Sequence, residues 1–184
     1  MTFLLRVSAG IDGFLSVVAR IGAWCGVALV LVVCFDVATR YLGLPKPFGL
    51  NSTQVQESEY WLHTFLFALV IGWAYTRQAH VRIDLVRERF GRRTRYAIEV
   101  FGILVFLLTY VAIGVWYTGE YAHASFQEHE ASKSTIGLTH IWILKMALPA
   151  LFLLLGLAGI SQLIKSVAGL TGHLPEAKAA ETLG

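Results

Sequence analysis

The sequence predicts an all-α integral membrane protein with four transmembrane helices and both termini on the cytoplasmic side. Three observations carry this reading. Hydrophobic residues make up 56% of the 184 residues and charged ones only 15%, where a soluble domain carries about 25% charged residues. The mean hydropathy is +0.62. The apolar residues are also gathered into four blocks, each near the ~20 residues that a ~30 Å hydrocarbon core demands. Backbone groups cannot stay unpaired in lipid, so such blocks must be helices, and no period-two alternation argues for a barrel. The length suits a single membrane domain, 1–184.

The first span is read at about 21–41, with an uncharged core from Ile21 to Phe35. Ahead of it, Leu4, Leu5, Val7, Ile11, Phe14, Leu15 and Val18 recur near helical spacing, with Arg6, Ser8, Asp12 and Ser16 between them. That pattern fits an interfacial amphipathic helix over residues 2–20 leading into the span. A cleaved signal peptide fits less well, because Asp12 interrupts the apolar stretch and no small-x-small site follows. The second span is read at 60–76, opened by Tyr60 and Trp61 and closed by Trp73 and Tyr75. The third covers about 97–119, with Tyr96 before it and Trp116, Tyr117 and Tyr121 at its end. The fourth covers about 138–164, with Trp142 near its start and Lys145 and Pro149 inside it. Tyr and Trp favour the membrane–water boundary because they join an apolar body to a polar tip.

Orientation follows from the loops. Arg77, Arg82, Arg87, Arg89, Arg92, Arg93 and Arg95 lie between spans two and three, against Asp84 and Glu88. Between spans three and four lie Glu120, Glu128 and Glu130, with Lys133 and two histidines. The positive-inside rule puts the arginine loop in the cytoplasm and the acidic loop outside. The pI near 9.0 therefore speaks for orientation in a bilayer and not for a nucleic-acid partner. Cys25 and Cys34 fall about 13 Å apart along one helix, on opposite faces, which excludes a disulfide between them.

Charge inside a membrane is costly and marks function by default. Asp36 and Arg40, at i and i+4 near the outer end of span one, can pair with each other or meet a partner subunit. Lys145 lies one turn before Pro149. It can snorkel to the surface or meet an acid such as Glu57 or Glu59, and the sequence leaves both open. Pro149 is expected to kink its helix. His63 and His140 both fall at outer span ends, so a haem between helices is conceivable, and a haem- or quinone-binding anchor of a respiratory oxidoreductase is the alternative reading. His123 and His129 with Glu120, Glu128 and Glu130 match no zinc spacing. No phosphate loop, H-E-x-x-H pair or nucleophile elbow is present, so the chain reads as a non-enzyme without a cofactor. Asn51-Ser52-Thr53 fits a glycosylation pattern and is read as a loop coincidence.

Several short motifs together resemble the small membrane (Q-type) subunit of tripartite ATP-independent periplasmic transporters. They are Arg40-Tyr41 at the end of span one, Gln56-Glu57-Ser58-Glu59 before span two and Gly72-Trp73-Ala74-Tyr75 near its inner end. Most telling is His80-Val81-Arg82-Ile83-Asp84. The stretch from Ser132 to Pro149, with Gly137-Leu138 and Leu144-Lys145, is similar to the branch associated with mannitol, chloroaromatic and 2-oxo acid uptake.

The resemblance implies a scaffold. A periplasmic binding protein captures an organic acid or similar solute. A large subunit carries it with coupling ions, typically sodium, in an elevator-like movement, and the small subunit braces the large one and helps dock the binding protein. The implied partners are those two proteins and membrane lipids, including any at the subunit interface, in the inner membrane of a bacterium. On this view Glu57, Glu59, Glu128, His129 and Glu130 are candidates for binding-protein docking. Asp36, Arg40, His80, Arg82, Asp84, Lys145 and Pro149 are interface or structural candidates. Gly72, Gly156 and Gly159 are candidates for close helix packing.

Overall fold

A computed structural model describes residues 2–43, 46, 49–79, 90–134 and 136–173. Among the described residues there are four long helices: α1 (Thr2–Leu42), α2 (Ser52–Thr76), α3 (Arg92–Gln127) and α4 (Ile141–Leu170). By length and apolar composition α1, α3 and α4 can each cross a membrane. The 25-residue α2 falls short of that measure, since its first two turns carry Gln54, Gln56, Glu57, Ser58 and Glu59. It nevertheless packs on both α1 and α4.

The N-terminal residues differ from the amphipathic pattern read in the sequence. Residues 2–20 are continuous with the first span in one helix of 41 residues, about 61 Å long at 1.5 Å per residue. The reason lies in the stripe itself. Leu15 is buried with Leu154 and Ala158 of α4, and Ile11 and Val18 pack against that cluster together with Leu69 and Trp73 of α2. Ile11, Leu15 and Val18 of the stripe therefore cover other helices, while Leu4, Val7 and Phe14 stay exposed, and no proline interrupts the chain before Pro45.

Helix ends are set by local chemistry. Asn51 caps α2, its side-chain oxygen accepting from the Gln54 N–H at 2.8 Å while the Gln54 side chain accepts from the Asn51 N–H. This reciprocal capping box satisfies two orphan donors. The sequon-like Asn51 is thus a helix start. α2, α3 and α4 end alike, with a left-handed residue at Gln78, His129 and Gly172 respectively. In each the following N–H reaches back to a carbonyl: Ala79 to Ala74, Glu130 to Ser125 and His173 to Ala168. Such a turn closes off otherwise unpaired carbonyls.

α3 contains one π-helical turn, Ile103–Leu107, in which the Leu108 N–H bonds to the Ile103 carbonyl. The rest of α3 runs antiparallel along α4 in steady register. Tyr96 meets Gly169, Leu107 meets Gly159, Val111 meets Gly156, and Phe152 meets Gly114. α4 runs unbroken through buried Pro149. The proline lacks an N–H, which leaves the Lys145 carbonyl without its usual helical donor.

The centre of the bundle closes at Gly72 of α2, where a methyl group would stand 2.7 Å from the Leu154 carbonyl oxygen and 2.9 Å from a Leu15 methyl. Only a residue without a side chain lets the two backbones approach this closely.

Candidate functional site

Polar clusters join the helices, and three of them lie among the described residues. The largest lies where the start of α2, the end of α3, the start of α4 and the 128–140 connection meet. Glu57, on the first turns of α2, is 6% exposed. Its carboxylate accepts from the backbone N–H of Leu138 and from the Ser132 hydroxyl. Gly137 stands so close to Ser132 and Glu57 that no side chain fits there. Two separate motifs, Gln56-Glu57-Ser58-Glu59 and Gly137-Leu138, therefore meet as acceptor and donor.

The same connection is held at three further points. Asn51 donates its amide to the Ile136 carbonyl at 2.8 Å, Ser132 N–H to Leu138 at 3.0 Å, and Ile141 N–H to Glu130 at 3.1 Å. A buried carboxylate without donors would be strongly penalised, and here two donors arrive from the connection it organises.

Lys145 finds neither Glu57 nor Glu59. It donates to Glu130, which also accepts from the Ser125 hydroxyl at 2.6 Å. The ammonium lies 3.9 Å from the centre of the Tyr121 ring, an arrangement attractive to a cation. The hydrogen bond from Lys145, and then that from Ser125, hold the Glu130 carboxyl below the ordinary glutamate range. Beside these groups opens a cleft of ≈ 630 Å³, lined among others by Tyr60, Trp61, Tyr121, Ser132 and Leu144. Glu128 and His129 stand exposed at the end of α3. There the Phe126 ring packs edge-on against Trp142 with centroids 5.1 Å apart. Glu59 is half-buried.

The second cluster ties the end of α1 to the start of α2. Asp36, 5% exposed, pairs with Arg40 at 2.7 Å and also with Lys46 at 2.7 Å. Lys46 in turn donates to Ser52 at 3.1 Å. The sequence spacing pointed to Arg40 but gave no signal for Lys46, which lies ten residues beyond Asp36.

A third cluster was not foreseen. The Ser8 and Ser161 hydroxyls lie 2.8 Å apart, Ser161 donates to Asp12 at 2.6 Å, and Lys165 pairs with Asp12 at 2.6 Å. Ser8 and Ser161 are both buried. The only signal for this lay in polar residues at helical spacing on two segments 153 positions apart. His80, Arg82 and Asp84 lie outside the described residues.

Chemically, these clusters position helices and a loop. Asp36 is answered by Arg40 and Lys46, Glu130 by Lys145, Asp12 by Lys165 and Glu57 by neutral donors, and among the described residues no three His, Cys, Asp or Glu side chains gather as a metal site would need. His63 is exposed and stacked edge-on against Phe67 at 4.7 Å, and His140 is likewise exposed, beside Thr139 at 2.8 Å.

Long apolar helices tied by such clusters define a helical membrane protein. The chain belongs to the DctQ family, whose description reads "Tripartite ATP-independent periplasmic transporters, DctQ component", and residues 29–169 match its family model. It is a small membrane component of a transporter of this type, and the haem- or quinone-anchor reading is not favoured. Comparison with curated proteins and with solved structures gives no match in either case.

Proposed function

We propose that this chain is the scaffold subunit that braces the large, substrate-carrying permease and helps seat the periplasmic binding protein. It is read as crossing the inner membrane of a bacterium four times with both termini in the cytoplasm, α2 supplying the remaining span. The solute is an organic acid or similar small molecule and the coupling ion is sodium. The similarity of the Ser132 to Pro149 stretch favours the mannitol, chloroaromatic and 2-oxo acid branch.

The observation that carries this reading is the junction at Gly72. There α2 and α4 meet at backbone distance, Leu15 of α1 packs against both, and together they fill the centre of the bundle, which suits a brace better than a conduit. The framed 128–140 connection, with Glu128 and His129 at its edge, supports the docking part of the reading. A surface held by its own hydrogen bonds loses little entropy when a partner binds.

Reconstitution tests it. Proteoliposomes holding both membrane subunits, with binding protein outside and an inward sodium gradient, should accumulate solute. Vesicles lacking this chain should not. Wild-type uptake by the large subunit and binding protein alone would refute the scaffold role. Alkaline phosphatase fused after Lys133 should be active, and fused after Ala79 inactive. The reverse pattern would overturn the orientation.

A further inference from the structure

The side of α1 turned away from α2 and α4 carries an unbroken pattern of its own. Phe3, Val7, Phe14, Val17, Ile21 and Trp24 are all exposed, from 39% at Val7 to 73% at Phe3. With Gly10 they are spaced alternately four and three residues apart, and the register continues through Ala28, Leu31 and Phe35. This is a seven-residue repeat with apolar residues at both core positions. It is the spacing that keeps one helix seam against another in a left-handed supercoil. Lipid asks only that a face be apolar and imposes no such period. Length points the same way. From Phe3 to Phe35 the seam runs about 48 Å, while hydrocarbon covers ~30 Å. Part of it therefore needs a protein cover.

The flanking charges say which kind of protein. Arg6 and Arg20 occupy equivalent positions of the repeat, two heptads apart and immediately beside core residues Val7 and Ile21. Both are exposed, and among the described residues neither forms an ion pair. At this position a charge normally meets one on the partner helix. A second copy of α1 cannot answer it. Side by side in parallel, Arg6 and Arg20 would face Ile11 and Cys25, and in an antiparallel pair arginine would face arginine.

We infer that this seam is the contact for a long apolar helix of a different chain, one carrying a seven-residue apolar repeat flanked by acidic residues. Resting on the functional reading above, that chain is the large permease subunit.

Photo-crosslinking in membranes from cells expressing the whole transporter tests this. Benzoylphenylalanine replaces Phe14 or Trp24 on the seam, or Val30, which is 61% exposed but off it. The expected result is a covalent adduct with the large subunit, identified by mass, from Phe14 and Trp24 but not from Val30. An adduct with a second copy of this chain, or with lipid alone, overturns the inference. So does an adduct with the large subunit from Val30 only.

A paired measurement uses the charges. The double variant Arg6→Glu with Arg20→Glu should lower recovery of the large subunit about tenfold, the loss expected from turning two exposed ion pairs repulsive. Arg6→Lys with Arg20→Lys should restore it. Equal recovery from both variants counts against the charge match. A chain that copurifies with no large subunit in any form removes the functional reading instead. Copurification without seam adducts removes only this inference.

Discussion

Replacing Gly72 by alanine tests the packing argument at its tightest point. The added methyl would stand 2.7 Å from the Leu154 carbonyl oxygen, 3.1 Å from its carbonyl carbon and 2.9 Å from a Leu15 methyl. Two of these neighbours are backbone atoms of α4 and cannot swing aside. Overpacking of this kind costs about 1–3 kcal/mol. Alanine recovers about 0.5–1 kcal/mol through its better helix propensity. A net loss of about 1–2 kcal/mol remains, or about five- to thirtyfold in the folded-to-unfolded ratio.

Two other glycines calibrate the result. At Gly159 the near neighbour, at 2.7 Å, is the tip of the Leu107 side chain, which can rotate, and the next atom is at 3.6 Å. At Gly119 nothing lies within 4 Å. Unfolding of the purified protein in detergent should therefore rank Gly119→Ala at or above wild type, Gly159→Ala slightly below and Gly72→Ala clearly last. If Gly72→Ala proves as stable as wild type, or Gly159→Ala the more damaging, the backbone-contact reasoning fails.

Further outcomes follow from the polar clusters. Glu57→Gln keeps the shape but turns one acceptor into a donor facing Leu138 N–H or the Ser132 hydroxyl. A cost of about 1–3 kcal/mol is expected, seen as faster amide exchange at Leu138 with α2 still helical. Unchanged exchange would show that the carboxylate does not hold the loop. Glu130 has its pKa depressed in the folded protein, so its anchoring is complete above the ordinary glutamate value of about 4.3 and is lost as pH falls through the folded value. Lys145→Met removes the main cause of that depression and should move the Glu130 titration upward, read from its carboxyl chemical shift. A midpoint that stays put refutes the pairing. Asp12 and Lys165 are 32% and 14% exposed. A double-mutant cycle with Asp12→Asn and Lys165→Met should give a coupling of about 0.2–1 kcal/mol, and a coupling of zero would remove the clamp.

The sequence made the helices legible because each apolar block is long and the bilayer leaves no other structure open to it. The three helices able to cross a membrane followed from the same blocks. The ends were less visible, since α2 begins at Ser52 and not at Tyr60, and its cap was hidden inside a sequon-like triplet. Asp36–Arg40 could be foreseen because its geometry is local, one helical turn. Lys145–Glu130 and Glu57–Leu138 could not, because each depends on where a 13-residue connection folds back between α3 and α4. The N-terminal stripe shows the limit best. Ile11, Leu15 and Val18 read equally well as a membrane-surface face or a packing face, and only the position of α4 decides between them.

The tie between Ser8, Asp12, Ser161 and Lys165 also sets an order of events. α1 leaves the ribosome before α4, and their contact joins residues 149 and 153 positions apart. Until α4 is made, Leu15 lacks Leu154 and Ala158, and Asp12 lacks its cation. The first helix therefore waits, incompletely covered, through the synthesis of everything between. The α1–α4 contact closes only once the later segment has been made, and the later segment then completes the packing of the earlier one. A chain cut short before α4 forfeits the contact that seats Leu15 and Asp12.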